Sequence, residues 1–296
     1  MSQFIAGHYA QQYASTIELL LQQKGSRLAG SVTPMPITGA KAAVPVDQIG
    51  KVEATKRTTR YPSLVPADTP VDRPWVYPSD YDWNDLIDSI DKLRTITDPL
   101  SSYARNGTYA MGRAQDREII AAFFADRKTG ETGATTTSFL AGQIVAVNFG
   151  AAGNVGMTVA KMREAKRLLM AAEVDLDNDP LSMPVTAKQH DNLLAEMQVI
   201  STDFNEKPVM MEGKITRFLG INLLHTELLQ NDATPYRRIP VYAKSGIVLA
   251  TWNGISTDIS QRKDLAGLPW QVYVYGTFGA TRLEELKVVE IKCNEA

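Results

Sequence analysis

Residues 98–126 read DPLSSYARNGTYAMGRAQDREIIAAFFAD, and the rest of the chain is organised around them. Asp98 is placed to accept from the first free N–H groups of a helix, and Pro99 falls at the first helical position, where a missing N–H costs nothing. Leu100, Tyr103, Ala104, Gly107, Ala110, Met111 and Ala114 recur at helical spacing, and Ile119, Ile120, Phe123 and Phe124 continue the stripe on a slightly rotated face. At about 1.5 Å per residue such a helix spans roughly 40 Å. Its apolar face is narrow and made of small residues, so another element must pack close along it. No catalytic side chain decorates it, which marks a structural rod.

The chain has 296 residues, enough for one large or two ordinary domains, with 44% hydrophobic and 22% charged residues. No apolar run reaches the roughly 18 residues of a membrane span. The opening MSQFIAGHYAQQYAST lacks the positive region and apolar core of a signal peptide. The single cysteine, Cys293, can form no internal disulfide and reads as a small side chain at the end of the last strand. Net charge is −2, which does not indicate a general nucleic-acid binder. The charge is uneven. Residues 1–60 hold seven cations against Glu18, Asp47 and Glu53, leaving +4 there and −6 on the remainder. A basic arm on an acidic body suits a polyanion or an acidic neighbour, or simply a solvated extended segment.

The N-terminal 24 residues carry an amphipathic helix pattern through Tyr9, Tyr13, Ile17, Leu20 and Leu21. Residues 25–43 turn to Gly, Ser, Thr and Pro, with Pro34 and Pro36 barring a helix. Such an arm is expected to be disordered or to lie on another surface. Residues 44–80 read as a long hairpin. Val44, Val46, Val52 and Ala54 with Thr55, Thr58 and Thr59 suit one strand, 71–77 the return, and the proline-rich 61–70 the tip. A hairpin this long with little apolar surface is marginal in water, and its edges invite another chain. The economical expectation is a neighbouring subunit; the alternative is a loop folded on its own domain. Lys51, Lys56, Arg57, Arg60, Trp75 and Tyr77 are the candidate inter-subunit residues.

Residues 81–96 are acidic, and Trp83, Leu86, Ile87, Ile90 and Leu93 predict a helical face. A strand over 144–149 precedes Gly150, Gly153 and Gly156, then a helix over 158–174 capped by Thr158, with Val159, Met162, Ala165, Leu168 and Leu169 inward. Asp175, Asp177 and Asp179 follow. This order imitates a dinucleotide site, but the spacing is GxxGxxG and no train of strand–helix units follows. The alternative is a hinge before a helix. Residues 186–197 predict a second helix, Gly220 a turn, and 239–242 and 247–251 two strands, so the middle reads as a mixed α/β layer. Residues 270–280, where Val272 and Val274 alternate with Tyr273 and Tyr275, and 286–291 read as a closing strand pair joined by a polar connection, 282–285. That pair is expected to pack on the long helix.

Chemistry is sparse. His8, His190 and His225 lie far apart without metal-ligand spacing, and His225 reads as a partly buried strand-end residue. The acidic loop near 175–179 lacks the glycine and closing glutamate of a calcium loop. No nucleophile elbow or P-loop is present. No catalytic, cofactor or metal residue is assigned.

The order of parts and the segments SRLAGSV, ITDPLSSYARNGTYAMGRAQDREIIAAFF, TVAKMREAKRLLMAAEV, RFLGINLLHTELL and WQVYVYGTFGATRLEELKVVEI resemble the major capsid proteins of tailed bacteriophages, with the Hong Kong 97-like fold. The resemblance implies an α+β chain: an N-terminal arm (1–43), an extended loop over a neighbour (44–80), a peripheral domain (81–155) with a spine helix (98–126), an inserted axial domain (156–258) and a return to the peripheral domain (259–296). It implies pentamers and hexamers in an icosahedral shell around double-stranded DNA, with portal, separate scaffolding and decoration proteins as partners, and no membrane. Contact with packaged DNA on the inner face would be non-specific. The protein is expected in the virion, assembled in the host cytoplasm, without catalytic site or cofactor. Two alternatives are an encapsulin-like nanocompartment shell and a nucleotide-dependent enzyme using glycines 150–156.

Overall fold

The long helix is present as α1, Leu100–Phe124, in a computed structural model that describes residues 20–39, 42–61, 63, 66, 68–87, 100–196, 215–232 and 236–295. Asp98, Pro99, the amphipathic pattern before residue 20, and 88–96 of the acidic segment lie outside the described residues. Two further helices are α2 (Val159–Ala171) and α3 (Ala187–Leu194). The strands in chain order are β1 (Thr33–Pro36), β2 (Val44–Pro45), β3 (Gln48–Ile49), β4 (Val71–Asp72), β5 (Trp75–Val76), β6 (Ser79–Ile87), β7 (Arg127–Thr129) and β8 (Thr135–Thr137). They continue as β9 (Ile144–Val145), β10 (Leu181–Val185), β11 (Arg217–Phe218), β12 (Ile221–His225), β13 (Tyr236–Ala243), β14 (Ile247–Gln261), β15 (Trp270–Arg282) and β16 (Val288–Asn294).

Packing divides the chain into two compact units, neither a continuous run. One comprises 1–26, 80–114 and 253–276; the other comprises 27–79, 115–252 and 277–296. These cuts fall elsewhere than 155/156 and 258/259, and α1, β14 and β15 each contribute to both units.

In the first unit the small-residue face of α1 meets what it was spaced for. A Cβ added at Gly107 would lie 2.6 Å from the Trp83 ring and 2.7 Å from Val274, and one at Gly112 would lie 2.5 Å from the backbone at Gly25. Ile87, Met111, Val272 and Val274 form the core, with Tyr81, Trp83, Ala104 and Trp270 packed around it. Tyr103 lies outside this face, exposed. The expected helix at 81–96 is corrected over its described part: 79–87 is the strand β6, whose side chains alternate between half-buried and exposed before the buried Ile87. Tyr81, Trp83 and Ile87 share the inward parity, and the strand completes the sheet β1-β14-β15-β6. Residues 20–26 also belong here. Arg113 donates to Gln22 Oε1 at 2.7 Å and to the Gln23 carbonyl at 3.1 Å, while Leu20 and Leu21 are exposed and outside any helix.

In the second unit the arm's expected lack of burial is overturned. Leu28 and Val32 are fully buried, and β1 pairs in parallel with Val248–Thr251 of β14. The buried carboxylate of Asp116 on α1 accepts from the backbone N–H groups of Arg27 (2.9 Å) and Leu28 (3.1 Å). Two helix-breaking prolines therefore enter a sheet edge, where proline is tolerated. Ser31 and the buried Tyr242 hydroxyl lie 2.5 Å apart, and burial pushes the Tyr242 phenol well above its usual range.

The central sheet runs β11-β12-β10-β13-β16-β9. All five residues of β10 are buried, Ser182 among them, as expected of an inner strand covered on both faces. Leu219 (φ 51°) and Gly220 (φ 82°) turn β11 into β12 as a two-residue hairpin with both residues left-handed. Against expectation, β16 does not pair with β15. It pairs antiparallel with β13, from Tyr236 opposite Asn294 to Tyr242 opposite Val288, and parallel with β9. The inward residues of α2 are Val159, Met162, Ala165 and Leu169, with Leu168 half-buried. Thr186 and Gln189 close a capping box at the start of α3.

Candidate functional site

The loop between β2 and β5 is built from the hairpin pattern, but with much shorter ladders than expected. Val44 pairs with Val76 and Pro45 with Trp75; Gln48 then pairs with Asp72 and Ile49 with Val71. The Gly50 N–H donates to the Pro70 carbonyl at 2.7 Å, and beyond it residues 51–58 have no regular structure. The expected strand through Val52, Ala54 and Thr55 is therefore absent, because among the described residues they have no partner strand to fill their backbone groups.

The base of the loop is held firmly. β5 joins β7 and β8 in the sheet β2-β5-β7-β8. The Trp75 indole donates to the Gly130 carbonyl at 2.7 Å, and Val76 is buried with Val248 and Ala250. Tyr77 is half exposed, and a Cβ on Gly279 would come within 2.1 Å of its carbonyl oxygen. Arg73 pairs with Asp47 across the hairpin, and Arg127 reaches Asp72 at 2.8 Å.

Past that base, every described residue from Ile49 to Val71 is exposed. The exposed set includes Ile49 (79%), Val52 (57%), Tyr61 (90%) and Val71 (66%), so apolar side chains stand in water on both arms of the hairpin. The cations stand among them. Lys51 lies 3.2 Å from Glu173, a pair exposed on both sides and worth little. Arg57 donates to the Thr59 carbonyl at 3.0 Å, and Lys56 and Arg60 are exposed. The six residues singled out thus divide: Lys51, Lys56, Arg57 and Arg60 occupy the exposed excursion, whereas Trp75 is engaged at its base and Tyr77 flanks it.

The glycine segment at 150–156 ends on a lysine of its own chain. β9 is only Ile144–Val145, not 144–149, and turns follow it. Lys161, fully buried on α2, donates from Nζ to the carbonyls of Val155 (2.8 Å), Gly156 (2.9 Å) and Lys292 (2.9 Å). The loop therefore turns carbonyl oxygens toward a cation that the chain itself supplies, the opposite polarity to a nest of N–H groups around an anion. This geometry favours the hinge reading of the segment over the nucleotide-binding one. Burial lowers the Lys161 pKa from its ordinary value. Spacing alone marks Lys161 as a surface helix cation, because its partners are backbone atoms with no sequence signature.

Beside it, burial pushes the Cys293 thiol up to about 12. At pH 8 its thiolate fraction is then about a thousandfold below that of a free thiol. Iodoacetamide is expected to leave the folded chain unlabelled and to label one site per chain in urea; rapid labelling of the native protein would contradict this burial.

His225 ends β12 as expected, but it is exposed, 3.0 Å from Glu227 and 2.9 Å from an Arg27 guanidinium nitrogen. Among the described residues no group of three or more His, Cys, Asp or Glu could hold a metal ion, and no helix is long and apolar enough to cross a membrane.

The sequence model of a family described as "Phage capsid protein" matches residues 5–295. No curated protein matches the chain by sequence. Among solved structures, the capsid of the cyanophage P-SCSP1u aligns with a TM-score of 0.75 at 12% identity, covering 100% of this chain and 96% of that one. The capsid of the cyanophage Pam1 aligns at 0.72 with 13% identity over 98% and 97%. The capsid of a native GTA particle aligns at 0.71 with 14% identity over 97% and 96%. A fold shared over whole chains at such low identity is the Hong Kong 97-like arrangement, and the family match rests on sequence across nearly every residue. The chain belongs to the phage capsid protein family, and its place is the capsid of the virion.

Proposed function

We propose that this chain is the major, shell-forming capsid protein of a tailed double-stranded DNA phage, assembling as pentamers and hexamers into an icosahedral head. In this reading 1–43 is the arm, 44–80 the extended loop laid on a neighbouring copy, 98–126 the spine of a peripheral region, 156–258 the axial region, and 259–296 the return. The subunit works by geometry and has no catalytic centre. Portal, scaffolding and decoration proteins, and non-specifically held DNA, are its partners.

One observation carries the reading: the excursion from Ile49 to Val71 exposes apolar and cationic side chains along its whole described length. A single molecule has no use for such a limb. A closed array of copies covers it many times over, and repetition multiplies modest contacts. Electron microscopy of the purified protein is expected to show uniform shells or capsomer rings. A monomer at every concentration and salt, without particles, would overturn the assignment.

A further inference from the structure

We propose that the outer part of β14, residues 253–261, pairs antiparallel with the same stretch of a second copy about a two-fold axis at Thr257, joining two sheets into one. This rests on the shell-forming reading above and names one contact between copies.

This stretch is an open edge. β1 pairs with β14 only along Val248–Thr251, and among the described residues no other strand pairs with β14 on that side. The Thr251 carbonyl accepts from the Ile37 N–H at 2.9 Å, so Thr251 turns its backbone groups toward the β1 side. At a period of two, Asn253, Ile255, Thr257, Ile259 and Gln261 turn theirs the same way. The alternate set faces β15, and at the end of the pair the Arg262 N–H donates to the Pro269 carbonyl at 2.9 Å. The outward N–H and C=O groups therefore have no strand to receive them among the described residues, and they form a template for another chain. The devices that guard such an edge are missing. The stretch NGISTDISQ holds no lysine, no proline and a single charge, Asp258. The outer strands of the central sheet, β11 and β9, are blunted by contrast to two residues each.

The symmetry of the stretch selects a second copy as the occupant. Ile255 and Ile259 are exposed, at 38% and 40%, and share one face with Thr257 between them. Two identical strands related by a two-fold axis normal to the sheet pair residues equally far from the axis, so only the central residue is to be chosen. With Thr257 at the centre, Ile255 lies opposite Ile259 of the second copy and Ile259 opposite its Ile255. Four isoleucines then form one apolar strip, and Asp258 meets Ser256. A centre at Asp258 sets carboxylate against carboxylate. A centre at Ser256 sets Ile255 against Thr257 and Ile259 against Asn253. Centres at Ile255 or Ile259 leave the other isoleucine against Thr251 or Lys263. One register alone matches both isoleucines and keeps the carboxylates apart.

A single cysteine on the axis reads the register in the full-length chain. Thr257→Cys sets each new thiol opposite its own counterpart, with Cα atoms about 5.5 Å apart and within reach of a disulfide. The natural Cys293 is buried and adds no background. Diamide oxidation of assembled shells is expected to link at least about half of the Thr257→Cys chains as dimers on a non-reducing gel. Asn253→Cys, whose counterparts stand about 27 Å apart along the paired strands, is expected to link fewer than about a tenth. Assembly reads the same pairing. Ile255→Lys is expected to cut shell yield about tenfold, since it sets an ammonium against isoleucine on a sheet edge. Adding Ile259→Glu gives each lysine a glutamate on the other copy, and yield is expected to return to within about threefold of the original. Within one chain these two positions stand about 13 Å apart, too far to pair, so the rescue requires the second copy. Urea midpoints of the dissociated subunits check that each variant folds; if Ile255→Lys does not, the cysteine comparison decides. Normal shells in which Thr257→Cys chains stay monomeric, or in which Asn253→Cys chains link equally well, overturn this contact: another segment or another register then covers the edge, and the shell-forming reading stands. An unchanged yield of Ile255→Lys, or no rescue by Ile259→Glu, overturns it as well. Absence of shells from the unsubstituted chain overturns both.

Discussion

Replacing residues 51–69 by an Asn-Gly turn is expected to leave a folded subunit that no longer builds shells. The cut follows from the geometry of the loop base. Gly50 donates to the Pro70 carbonyl, and Ile49 and Val71 sit opposite each other, so a two-residue turn closes the hairpin where its arms are already together. Every described residue removed is exposed, and a change in subunit stability within about 0.5 kcal/mol is expected. Assembly is another matter. Val52, Tyr61 and four cations leave with the segment, and shell yield is expected to fall by about a hundredfold, as each missing contact recurs at every copy. The wider cut at 50–75 that the hairpin pattern invites is the wrong experiment. It would also remove Asp72, which Arg127 holds, and Trp75, which bonds Gly130, so a folding defect would masquerade as an assembly defect. Circular dichroism and a urea midpoint read the fold; sedimentation velocity and electron microscopy read the shells. Normal shells from the shortened chain would show the loop to be dispensable, and an unfolded chain would show it to be part of its own core.

What the sequence made legible, and what it hid, follows from where each side chain finds its partner. The long helix was legible because its apolar spacing lies within one element, and Gly107 announces close packing without saying against what. The exposed cations of the loop were legible because exposure requires no partner. Residues 81–87 were misread because Trp83, Leu86, Ile87, Ile90 and Leu93 fit a helical face, while Tyr81, Trp83 and Ile87 also fit alternation. A neighbouring strand, β15, makes the extended form the better one, and a local window does not contain it. The arm was misread for a related reason. Leu28 and Val32 are isolated apolar residues in a polar stretch, and the group that seats them, the Asp116 carboxylate, lies 88 residues away. Lys161 was hidden most completely, because three carbonyl oxygens receive it and carbonyls have no letters. The glycine lure had the same origin: glycine spacing suggests backbone freedom but does not tell whether N–H or C=O groups turn inward.

Arg282→Ala is expected to destabilise the subunit by about 3–5 kcal/mol, the cost of stranding a buried ionic network. Residues 282–285 read as a polar connection, yet Arg282 is fully buried. Its Nη1 donates to the carbonyls of Phe123 (2.7 Å) and Ala125 (3.0 Å), at the end of a 25-residue helix whose last turn contains no basic residue. The final carbonyls of a helix have no intrahelical donors and carry partial negative charge, so this guanidinium supplies from another strand the cap that the helix lacks. The same guanidinium forks onto Glu285 at 2.8 and 3.0 Å. Glu285 in turn lies 2.7 Å from Arg127 Nε, and Arg127 reaches Asp72 at the loop base. Removing Arg282 leaves Glu285 with one cation in place of two and leaves the helix carbonyls without their donors. Arg282→Lys keeps the charge but loses the planar fork, and about half of that cost is expected to remain. Lys51→Ala, which breaks only the exposed pair with Glu173, is expected to cost less than about 0.5 kcal/mol. The comparison is best made by urea unfolding in the shortened 51–69 background, where no shell adds its own stability. A cost below about 1 kcal/mol for Arg282→Ala would mean that water or a rearranged side chain replaces the cap, and that the network does not join the loop base to the end of the helix.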